Sequence, residues 1–451
     1  MNPPAGSTST LKNKAGASAP SAPVAVETNG HVADVMRPVV EAGLGASIPL
    51  RFEFWDGSAL GPPHAVGTIR FRSPDAIRRL LWKPNELGLG RAYVSGDMDV
   101  EGDIFEIVTA FRDSKPEGVD TTSALKGLPA AMRAAKTVGA LGGPLAPPPE
   151  EARLHGWRHS LRRDAEAIGH HYDVGNEFYR LVLGPSMTYS CARFTSPEAT
   201  LEEAQAAKHE LICRKLGLHE RPEMTLLDVG CGWGSMVIHA AVHHGARAVG
   251  ITISRAQAEL ARERAAQAGV GDLVEIRLQD YRDLGGEQFD VISSVGMSEH
   301  VGHGKIDRYF ATLRSVLGPR GRLLNHAISS VGGSKLGRNS FVGRYVFPDG
   351  ELIDVGRVVL AMEAAGFEVR DVESLREHYA RTLRTWVANL ESQWDEAVAM
   401  VGQPRSKIWR LYMAGSAVGF EDGGIGIHQV LGVVPTSAGE SGMPATRRDW
   451  S

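Results

Sequence analysis

The segment LLDVGCGWGS, Leu226 to Ser235, is the feature of this 451-residue sequence that most limits how it can fold. It reads as an apolar strand ending at Asp228, followed by a turn with three glycines and then a helix. Glycine in such a turn lets the backbone approach a ligand closely and adopt angles that other residues avoid. The segment therefore predicts an α/β fold with a ligand at the carboxyl end of this strand.

The sequence around this turn alternates regularly between strand-like and helix-like segments. Four further apolar runs of strand type follow: RAVGITI, LVEIRLQD, FDVISSV and GRLLNHAI. Predicted helices flank them, one opened by a capping box of Thr200 with Glu203 and one running from Ser254 to a stop at Gly269. This alternation predicts a Rossmann-like, doubly wound and mostly parallel sheet, which binds ligands at the carboxyl ends of its strands.

Two features of the glycine-rich region bear on the ligand. A dinucleotide site would place an acidic residue at the end of the second strand, but this strand ends with Thr252 and Ser254. Bulky Trp233 also occupies the turn in which a pyrophosphate needs an open helix N-terminus. S-adenosylmethionine has no phosphate, so a class I methyltransferase is favoured over a nicotinamide enzyme. We then expect Asp228 near the amino-acid end of the cofactor and Asp280 near its adenine.

Composition changes sharply towards the N-terminus. Residues 1–30 are rich in Ser, Ala, Pro and Gly and are predicted to be a disordered tail. Residues 31–118 are predicted to form a small α/β domain with a helix begun by Ser73. Its expected strands lie in three segments: RFEFWDG, AVGTIRFR and AYVSGDMDVEG.

A linker is expected over 119–165, because the Gly and Pro residues of GALGGPLAPPPEEA disfavour regular structure. Its last part carries a basic cluster, which indicates either a solvated face or contact with an anionic membrane: Arg153, Arg158, Arg162 and Arg163. The methyltransferase domain is then expected over 166–435, with a flexible tail over 436–451.

Bulk properties exclude several classes of protein. The formal net charge of -4 argues against a nucleic-acid partner. The three cysteines, Cys191, Cys213 and Cys231, show no paired spacing, which fits a reducing cytoplasm and predicts neither a disulfide framework nor a zinc ribbon. We find no signal-peptide core and no apolar run of about eighteen residues, so neither secretion nor a membrane span is expected. Peripheral membrane contact remains open.

The segment GMSEHVG, Gly296 to Gly302, places Glu299 beside His300 after a predicted buried strand. A serine-nucleophile elbow is excluded, since His300 stands where that motif requires glycine. A metal site is disfavoured because His300 and His303 lack the H-E-x-x-H order and a placeable third ligand. A carboxylate that acts as a base, or beside one, remains.

Several segments together resemble the cyclopropane-fatty-acyl-phospholipid synthases, with their relatives that modify mycolic acids or methylate fatty acids at C10. The similar pieces cover most of 166–430: HHYDVGNEFYRLVLGPSMTYSCARF, LLDVGCGWGS, VGITIS with Gln257, LQDYRDL, SVGMSEHVG, LLNHAIS and HYARTLRTW. The segment ELGLGRAYVSGDMDV also resembles the N-terminal domain of the full-length bacterial synthases.

The resemblance implies methyl transfer from S-adenosylmethionine to the cis double bond of an unsaturated phospholipid acyl chain. It implies a bound bicarbonate ion that acts as the base, held by Cys191 and Ile328 through backbone groups and by Glu299, His326 and Tyr379 through side chains. The cofactor contacts that it implies are Tyr189, Ser190, Gly230, Gly232, Thr252, Gln257, Asp280 and Tyr281. With Asp228 they make nine expected cofactor-binding residues.

The chemistry fits such a site. An alkene is a poor nucleophile, so the methyl donor must be held in line and away from water. Methyl addition leaves a carbocation, and ring closure requires a proton to leave the new methyl group. A small bound anion can stabilise the positive charge and accept that proton. Because two neighbouring anions repel, we expect Glu299 to pair with a donor or to bind the protonated form of the ion.

The sequence departs from many relatives at Ser298, where they carry an aromatic residue before the Glu-His pair. The same carbocation can lose a proton without closing a ring, which gives a 10-methylene chain that a separate reductase would saturate to a methyl branch. Two further alternatives stay open: an inactive lipid-binding protein on this fold, and a methyltransferase for small molecules or proteins. Phe341, Tyr345 and Phe347 either wall an acyl tunnel or pack a lid.

The resemblance also implies where the protein works and with what. We expect it to be cytoplasmic, to sit peripherally at the inner face of the cell membrane, and to form a homodimer. The expected partners are unsaturated phospholipid acyl chains, with the membrane surface contacted transiently.

Overall fold

The computed structural model describes residues 31–45, 48–114, 121–152, 175–333, 337 and 339–450, except for the side chains of 121–128 and 449. The predicted disordered tail, the basic cluster at 153–163 and the pair His170 and His171 lie outside the described residues. What is described forms two sheets, each with its own hydrophobic core.

The N-terminal domain is built on a four-stranded sheet in the order β2-β1-β3-β4. The strands are β1 Leu50–Glu53, β2 Ala59–Leu60, β3 Gly67–Phe71 and β4 Met98–Gly102. Its helices are Val32–Leu44, Pro74–Trp82, Glu86–Val94, Ile104–Asp113 and Thr121–Thr137. Alternate residues of β1 and β3 are buried, as expected for strands with one face on a core.

One predicted strand of this domain is wrong in part. In AYVSGDMDVEG, residues Ala92–Val94 end the helix Glu86–Val94, and only Met98–Gly102 is a strand. The cause is Asn85, whose side chain accepts hydrogen bonds from the first turn of that helix and so starts it. The helix predicted from Ser73 does begin there, although the Ser73 side chain makes no capping hydrogen bond.

The predicted linker also contains structure. Helix Thr121–Thr137 occupies its first part, and Ala134 and Ala135 on that helix belong to the N-terminal core. From Val138 to Ala152, where Gly and Pro were expected to prevent regular structure, no helix or strand is present.

The second domain contains a seven-stranded sheet in the order β10-β11-β9-β8-β5-β6-β7. Its strands are β5 Thr225–Val229, β6 Arg247–Thr252, β7 Val274–Leu278, β8 Phe289–Val295, β9 Leu317–Ser330, β10 Glu368–Ser374 and β11 Ile425–Val433. Only β11 runs antiparallel to its neighbours. All five strands expected from the sequence are present, and the prediction of a doubly wound, mostly parallel sheet is confirmed.

Helices cover the faces of this sheet. They are Asn176–Leu183, Leu201–Leu216, Ser235–His244, Arg255–Gln267, Ser298–Val301, Ile306–Ser315, Phe341–Tyr345, Val355–Ala364, Arg376–Ser392, Trp394–Val401 and Gln403–Glu421. The capping box of Thr200 and Glu203 forms as predicted, and the Ser254 side chain accepts from the backbone of Gln257.

Two ion pairs hold the N-terminal domain against the rest of the chain. Arg91 binds both carboxylate oxygens of Glu151 at 2.7 Å, and Lys407 Nζ lies 2.5 Å from Asp99.

At the C-terminus, residues 436–450 were predicted to be a flexible tail, yet Trp450 is buried and Arg447 pairs with buried Asp371. Among the described residues, no helix is both long and apolar enough to cross a bilayer.

Candidate active site

A cleft opens at the carboxyl ends of β5, β6, β7 and β8, where a doubly wound sheet binds its ligands. Its empty volume, open mouth included, is about 1250 Å³, ample for a nucleoside-sized ligand. All nine residues expected to bind the cofactor line this one cleft: Tyr189, Ser190, Asp228, Gly230, Gly232, Thr252, Gln257, Asp280 and Tyr281. The structure therefore brings together residues that lie up to 92 positions apart in the sequence.

The glycine-rich turn forms the floor of the cleft. The backbone N–H groups of Gly230 and Cys231 both donate to the Ile251 carbonyl at 3.0 Å, which ties the turn to β6. Gly230 has φ +77°, and a Cβ added there would lie 2.4 Å from Met297 Sδ. Gly232 has φ +54°, but a Cβ there would meet no protein atom within 4 Å. Gly230 is thus required for packing as well as for backbone conformation.

We expect Gly230→Ala to lower the free energy of unfolding by about 2–4 kcal/mol, because left-handed strain adds to a displaced Met297. Gly232→Ala, the matched control, should cost only about 1–2 kcal/mol, since it adds strain without a clash. Chemical denaturation of the two ligand-free variants measures both. Equal losses would contradict the assignment of close packing to Gly230.

The polar groups at the far side of the cleft are already organised. Thr252 Oγ1 donates to Gln257 Oε1 at 2.9 Å, which fixes the end of β6 against the following helix. The Asp280 carboxylate receives two hydrogen bonds from the Arg282 guanidinium, at 2.8 and 2.6 Å. Although burial works in the opposite direction, these bonds hold the pKa of Asp280 below its usual range. Asp280 is therefore an ionised acceptor.

At the near side, a buried acid and a buried base face the cleft. Ser293 Oγ donates to Asp228 Oδ1 at 2.6 Å, and burial raises the pKa of Asp228 to about 6. Lys208 Nζ donates to Ser190 Oγ at 3.0 Å, and burial lowers the pKa of Lys208 to about 8. Near pH 7 the pair presents one negative and one positive charge, which suits the zwitterionic end of an amino acid.

Lys208 was missed by sequence reasoning, although a signal was present. Helix Leu201–Leu216 buries a continuous stripe: Leu201, Ala204, Gln205, Lys208, Leu211, Ile212 and Lys215. A lysine within an apolar stripe of helical spacing is seldom buried without a partner. Gln205, on the same stripe, donates to the Ser190 carbonyl at 2.9 Å and holds the segment that carries Tyr189 and Ser190.

None of the five residues expected to bind the ion lines this cleft directly. They lie in the interior beside it: Cys191 follows Ser190 in the chain, and Glu299 stands between cleft residues Met297 and His300. Cys191, His326 and Tyr379 are buried.

The Glu299 side chain completes the end of the sheet. β8 pairs with β9 only as far as Val295 opposite His326, so the backbone N–H of Ile328 has no partner on β8. Glu299 Oε1 accepts that N–H at 2.7 Å. Among the described residues, Glu299 Oε2 is buried without a hydrogen-bond partner, and burial raises the pKa of Glu299 to about 7.

His326 is a second incomplete polar group. The amide nitrogen of Gln429 faces His326 Nδ1 at 3.1 Å, so in this amide orientation Nδ1 accepts and the ring proton is on Nε2. Burial holds the pKa of His326 well below its usual range, which keeps the ring neutral. His326 Nε2 has no partner within the described part of the chain. A buried donor of this kind calls for an acceptor.

Cys191 and Tyr379 occupy the apolar side of this region. Cys191 Sγ lies 3.6 Å from the Leu375 carbonyl, and burial raises the pKa of the thiol far above neutrality, so it is not a nucleophile. The Tyr379 ring lies 6.1 Å from that of Trp386 and 4.7 Å from that of Phe420. Both residues belong to the same hydrophobic core cluster.

A further aromatic residue, Tyr412, joins the two parts of the site and was missed because it lies on a distant helix. Tyr189 donates its hydroxyl hydrogen to Tyr412 at 3.2 Å. Burial, with a smaller contribution from the charge of Glu299, raises the pKa of Tyr412 to about 12. Phe347 packs edge-on against Tyr412 at 5.6 Å.

The three aromatic residues in the segment after β9, which were considered as the wall of an acyl tunnel or as the packing of a lid, do not share one environment. Phe341 packs against Gly90 of the N-terminal domain, and Tyr345 donates to Glu151, which pairs with Arg91 of that domain. Phe347 lies 6.1 Å from the ring of His300, a cleft residue, and is the one of the three that lies beside the cleft.

Two other features of GMSEHVG are now placed. Ser298 is buried and donates to Asn325 Oδ1 at 2.9 Å. His303 Nε2 lies 3.1 Å from the Leu352 carbonyl. In the described part of the chain, neither His300 nor His303 belongs to a group of side chains close enough to hold a metal ion.

Comparison with known proteins agrees with this geometry. A family model described as mycolic acid cyclopropane synthetase matches residues 159–430. A probable fatty acid methyltransferase of Mycobacterium tuberculosis is 43% identical over 89% of this chain and 94% of its own length. A probable fatty acid methyltransferase of Pseudomonas putida is 41% identical over 89% of this chain and 96% of its own length.

Solved structures give the same result. The cyclopropane synthase MmaA2 of Mycobacterium tuberculosis has a TM-score of 0.57 and 33% identity, covering 61% of this chain and 98% of that one. The mycolic acid cyclopropane synthase CmaA1, solved with S-adenosylhomocysteine and CTAB, has a TM-score of 0.56 and 34% identity, covering 60% of this chain and 98% of that one. The family model spans more than half of the chain, and the relatives cover nearly all of it. The chain therefore belongs to the mycolic acid cyclopropane synthetase family and is an S-adenosylmethionine-dependent methyltransferase of the class I fold.

Proposed function

We propose that the protein transfers a methyl group from S-adenosylmethionine to the cis double bond of an unsaturated phospholipid acyl chain and closes a cyclopropane ring. The family match and the fatty acid methyltransferases among its relatives support a fatty acyl substrate. The observation that carries the rest of the proposal is the pair of buried, unpartnered polar atoms beside the cleft, Glu299 Oε2 and His326 Nε2.

These atoms fit bicarbonate. The ion carries oxygens that accept from His326 Nε2–H, and a hydroxyl group that donates to a carboxylate. Glu299, with a pKa of about 7, exchanges between acceptor and donor near neutrality, so it can face the ion without a full repulsion between two anions. Tyr379 and the backbone around Cys191 and Ile328 would complete the set.

When bound, S-adenosylmethionine supplies an electrophilic methyl group and bicarbonate supplies a base. Asp228 and Lys208 would hold the ammonium and carboxylate groups of the cofactor's amino-acid end, and Thr252 with Gln257 would close the opposite side. Glu299 and His326 would orient the ion, so the chain would need no nucleophilic side chain that could itself be alkylated.

Aromatic rings next to this site are suited to stabilise positive charge on the acyl chain. Tyr189 and Trp386 lie 5.4 Å apart, and Trp409 lies 5.8 Å from Tyr189 and 5.9 Å from Tyr412. Ring faces attract a cation by about 0.5–2 kcal/mol each when water is excluded. Their burial also keeps water from quenching the carbocation.

A 10-methylene product is the second candidate, and the residue that points to it is Ser298. The Ser298 hydroxyl is committed to Asn325, where an aromatic ring in many relatives would fill space. A pocket wider at this point would let a hydride shift precede proton loss. The resulting 10-methylene chain would need a separate reductase to become a methyl branch.

Because the acyl substrate belongs to a bilayer lipid, the proposal includes peripheral contact with the inner face of the cell membrane, and a homodimer as the working form. Sedimentation with anionic vesicles at low and high salt tests the contact. Equal, negligible binding at both salt concentrations would count against it.

The experiment that tests the function uses purified protein, S-adenosylmethionine with a trideuterated methyl group, and vesicles of a dioleoyl phospholipid. We expect acyl chains that have gained one carbon and retain two deuterium atoms, because one is lost to the base. Deuterium NMR of the released chains then separates a ring CD2 group from an exocyclic CD2 group on a double bond.

Controls separate the rival accounts. Dipalmitoyl vesicles should give no product, since they offer no double bond, and free oleate tests whether the phospholipid is required. Cofactor binding by calorimetry without any lipid product would favour an inactive lipid-binding protein and contradict the proposal.

A further inference from the structure

Two helices that support the cofactor cleft bring four metal-ligating side chains together outside the set of residues that line the cleft. Glu210 and Cys213 lie three positions apart on helix Leu201–Leu216. His239 and His244 lie on helix Ser235–His244, which follows the glycine-rich turn. The two histidines have the H-x4-H spacing found in zinc sites, but no C-x2–4-C motif accompanies it, so the sequence predicts no site here.

The geometry of the cluster is compact. One ligand atom from each of Cys213, His239 and His244 lies within 4.8 Å of the others. Glu210 Oε2 lies 2.9 Å from His244 Nε2 and 3.5 Å from His239 Nε2. In a tetrahedral zinc site the ligand atoms are about 3.3–3.8 Å apart, as bonds of roughly 2.0–2.3 Å require. Cys213, His239 and His244 therefore lie near the spacing that a single ion requires, and Glu210 contacts both imidazoles.

The chemistry of the four groups suits Zn²⁺. One thiolate, two imidazoles and a carboxylate form a donor set of the kind that zinc prefers. Cys213 is a buried thiol, and its proton must leave to solvent when a sulfur–metal bond forms. The step is ligand exchange, with no change of oxidation state.

We propose that Glu210, Cys213, His239 and His244 form a zinc site that fastens these two helices together. The first helix carries Gln205 and Lys208, both bonded to Ser190 at the cleft. The second begins directly after Gly234, at the end of the glycine-rich turn. A metal at this crossing would fix the relative position of the two cofactor-binding segments, independently of which acyl product the enzyme makes.

The neighbouring histidines define the limits of the site and supply a control. His243 is exposed and its ring lies 4.4 Å from that of His239, but it is not part of the ligand set. His209 is buried with its ring 5.5 Å from His239 and lines the cofactor cleft. His243→Ala therefore removes an adjacent imidazole and leaves all four proposed ligands.

The test uses the full chain after treatment with a chelator and dialysis. Titration with Zn²⁺ alone in a calorimeter should show one site per chain and a rise in the thermal unfolding midpoint. Titration with Co²⁺ should give thiolate-to-cobalt charge-transfer absorption and the visible bands of a tetrahedral ion. Cys213→Ala should abolish the charge-transfer band, and His244→Ala should weaken Zn²⁺ binding by about 100-fold or more. His243→Ala should bind as the original protein does.

Several results would overturn the inference. They are the absence of zinc binding beyond that of scattered surface histidines, octahedral cobalt spectra without a thiolate band, or binding that His244→Ala and His243→Ala reduce equally. If Cys213→Ala does not fold, the cobalt spectrum of the original protein decides whether sulfur is a ligand. None of these measurements depends on lipid methylation, so failure here leaves the proposed function standing.

Discussion

Replacing Glu299 with Gln is expected to lower turnover about 100- to 1000-fold while S-adenosylmethionine binding changes less than about threefold. Glutamine keeps an oxygen that can accept the Ile328 N–H, so the sheet end that Glu299 completes is preserved. The substitution replaces Oε2, the atom without a partner, by an amide group that cannot carry charge or exchange a proton. The loss should therefore appear in kcat and not in cofactor affinity.

The pH profile sharpens this prediction. With a pKa of about 7, Glu299 should contribute a limb near neutrality to the pH dependence of kcat, and that limb should vanish in Glu299→Gln. Glu177→Gln, at an exposed residue of helix Asn176–Leu183, is the matched control and should behave as the original protein. A normal kcat in Glu299→Gln would remove Glu299 from the site.

Lys208→Met is expected to weaken S-adenosylmethionine binding about 10- to 100-fold, because a buried ammonium group facing the cleft is replaced by an apolar chain of similar length. Lys208 binds Ser190 and shares the cleft with Asp228, so the variant leaves the acid without its nearby positive charge. At saturating cofactor, kcat should change much less than KM.

The two groups also predict how affinity depends on pH. Asp228, with a pKa of about 6, loses its charge as pH falls below 6, and Lys208, with a pKa of about 8, loses its charge as pH rises above 8. Affinity should therefore be greatest between these values. The amino group of the cofactor itself titrates at about 7.7–8.0. The contribution of the lysine is therefore the difference between the pH profiles of the original protein and of Lys208→Met.

Asp228→Asn supplies the other half of that test. It should remove the acidic limb and retain the alkaline one, while Lys208→Met should retain the acidic limb and keep only the alkaline limb of the cofactor's own amino group. Calorimetry from pH 5 to 9 measures both variants. Unchanged cofactor affinity in Lys208→Met would show that the ammonium group serves only as a hydrogen-bond donor to Ser190.

Local sequence patterns were sufficient for five of the seven strands of the second domain, and β10 and β11 were not predicted. The alternation of apolar runs with capped helices depends on neighbouring residues, and the capping box at Thr200 and the cap at Ser254 form as expected. In the N-terminal domain the same reasoning failed at Ala92–Val94, because apolar periodicity over three residues does not separate a strand from the end of a helix. The decisive signal there was Asn85.

In the candidate site, too, residues near a local motif were predictable and residues brought in from distant parts of the chain were not. Residues next to a recognisable turn or motif were found, since all nine expected cofactor residues line the cleft. Lys208 and Tyr412 were missed because each is one polar residue on a largely buried helix. Their importance depends on contacts with residues far away in the sequence: Tyr412 meets Tyr189 across 223 positions. The Cys213–His244 cluster was missed for the same reason.

The bicarbonate dependence of turnover tests the central claim most directly. Purified protein, trideuterated S-adenosylmethionine and dioleoyl phospholipid vesicles are combined in buffer freed of carbon dioxide, and bicarbonate is then restored. The account predicts that turnover falls at least tenfold on depletion and recovers on addition, and that each product retains two deuterium atoms. Full turnover without bicarbonate, or product that keeps all three deuterium atoms, would contradict it.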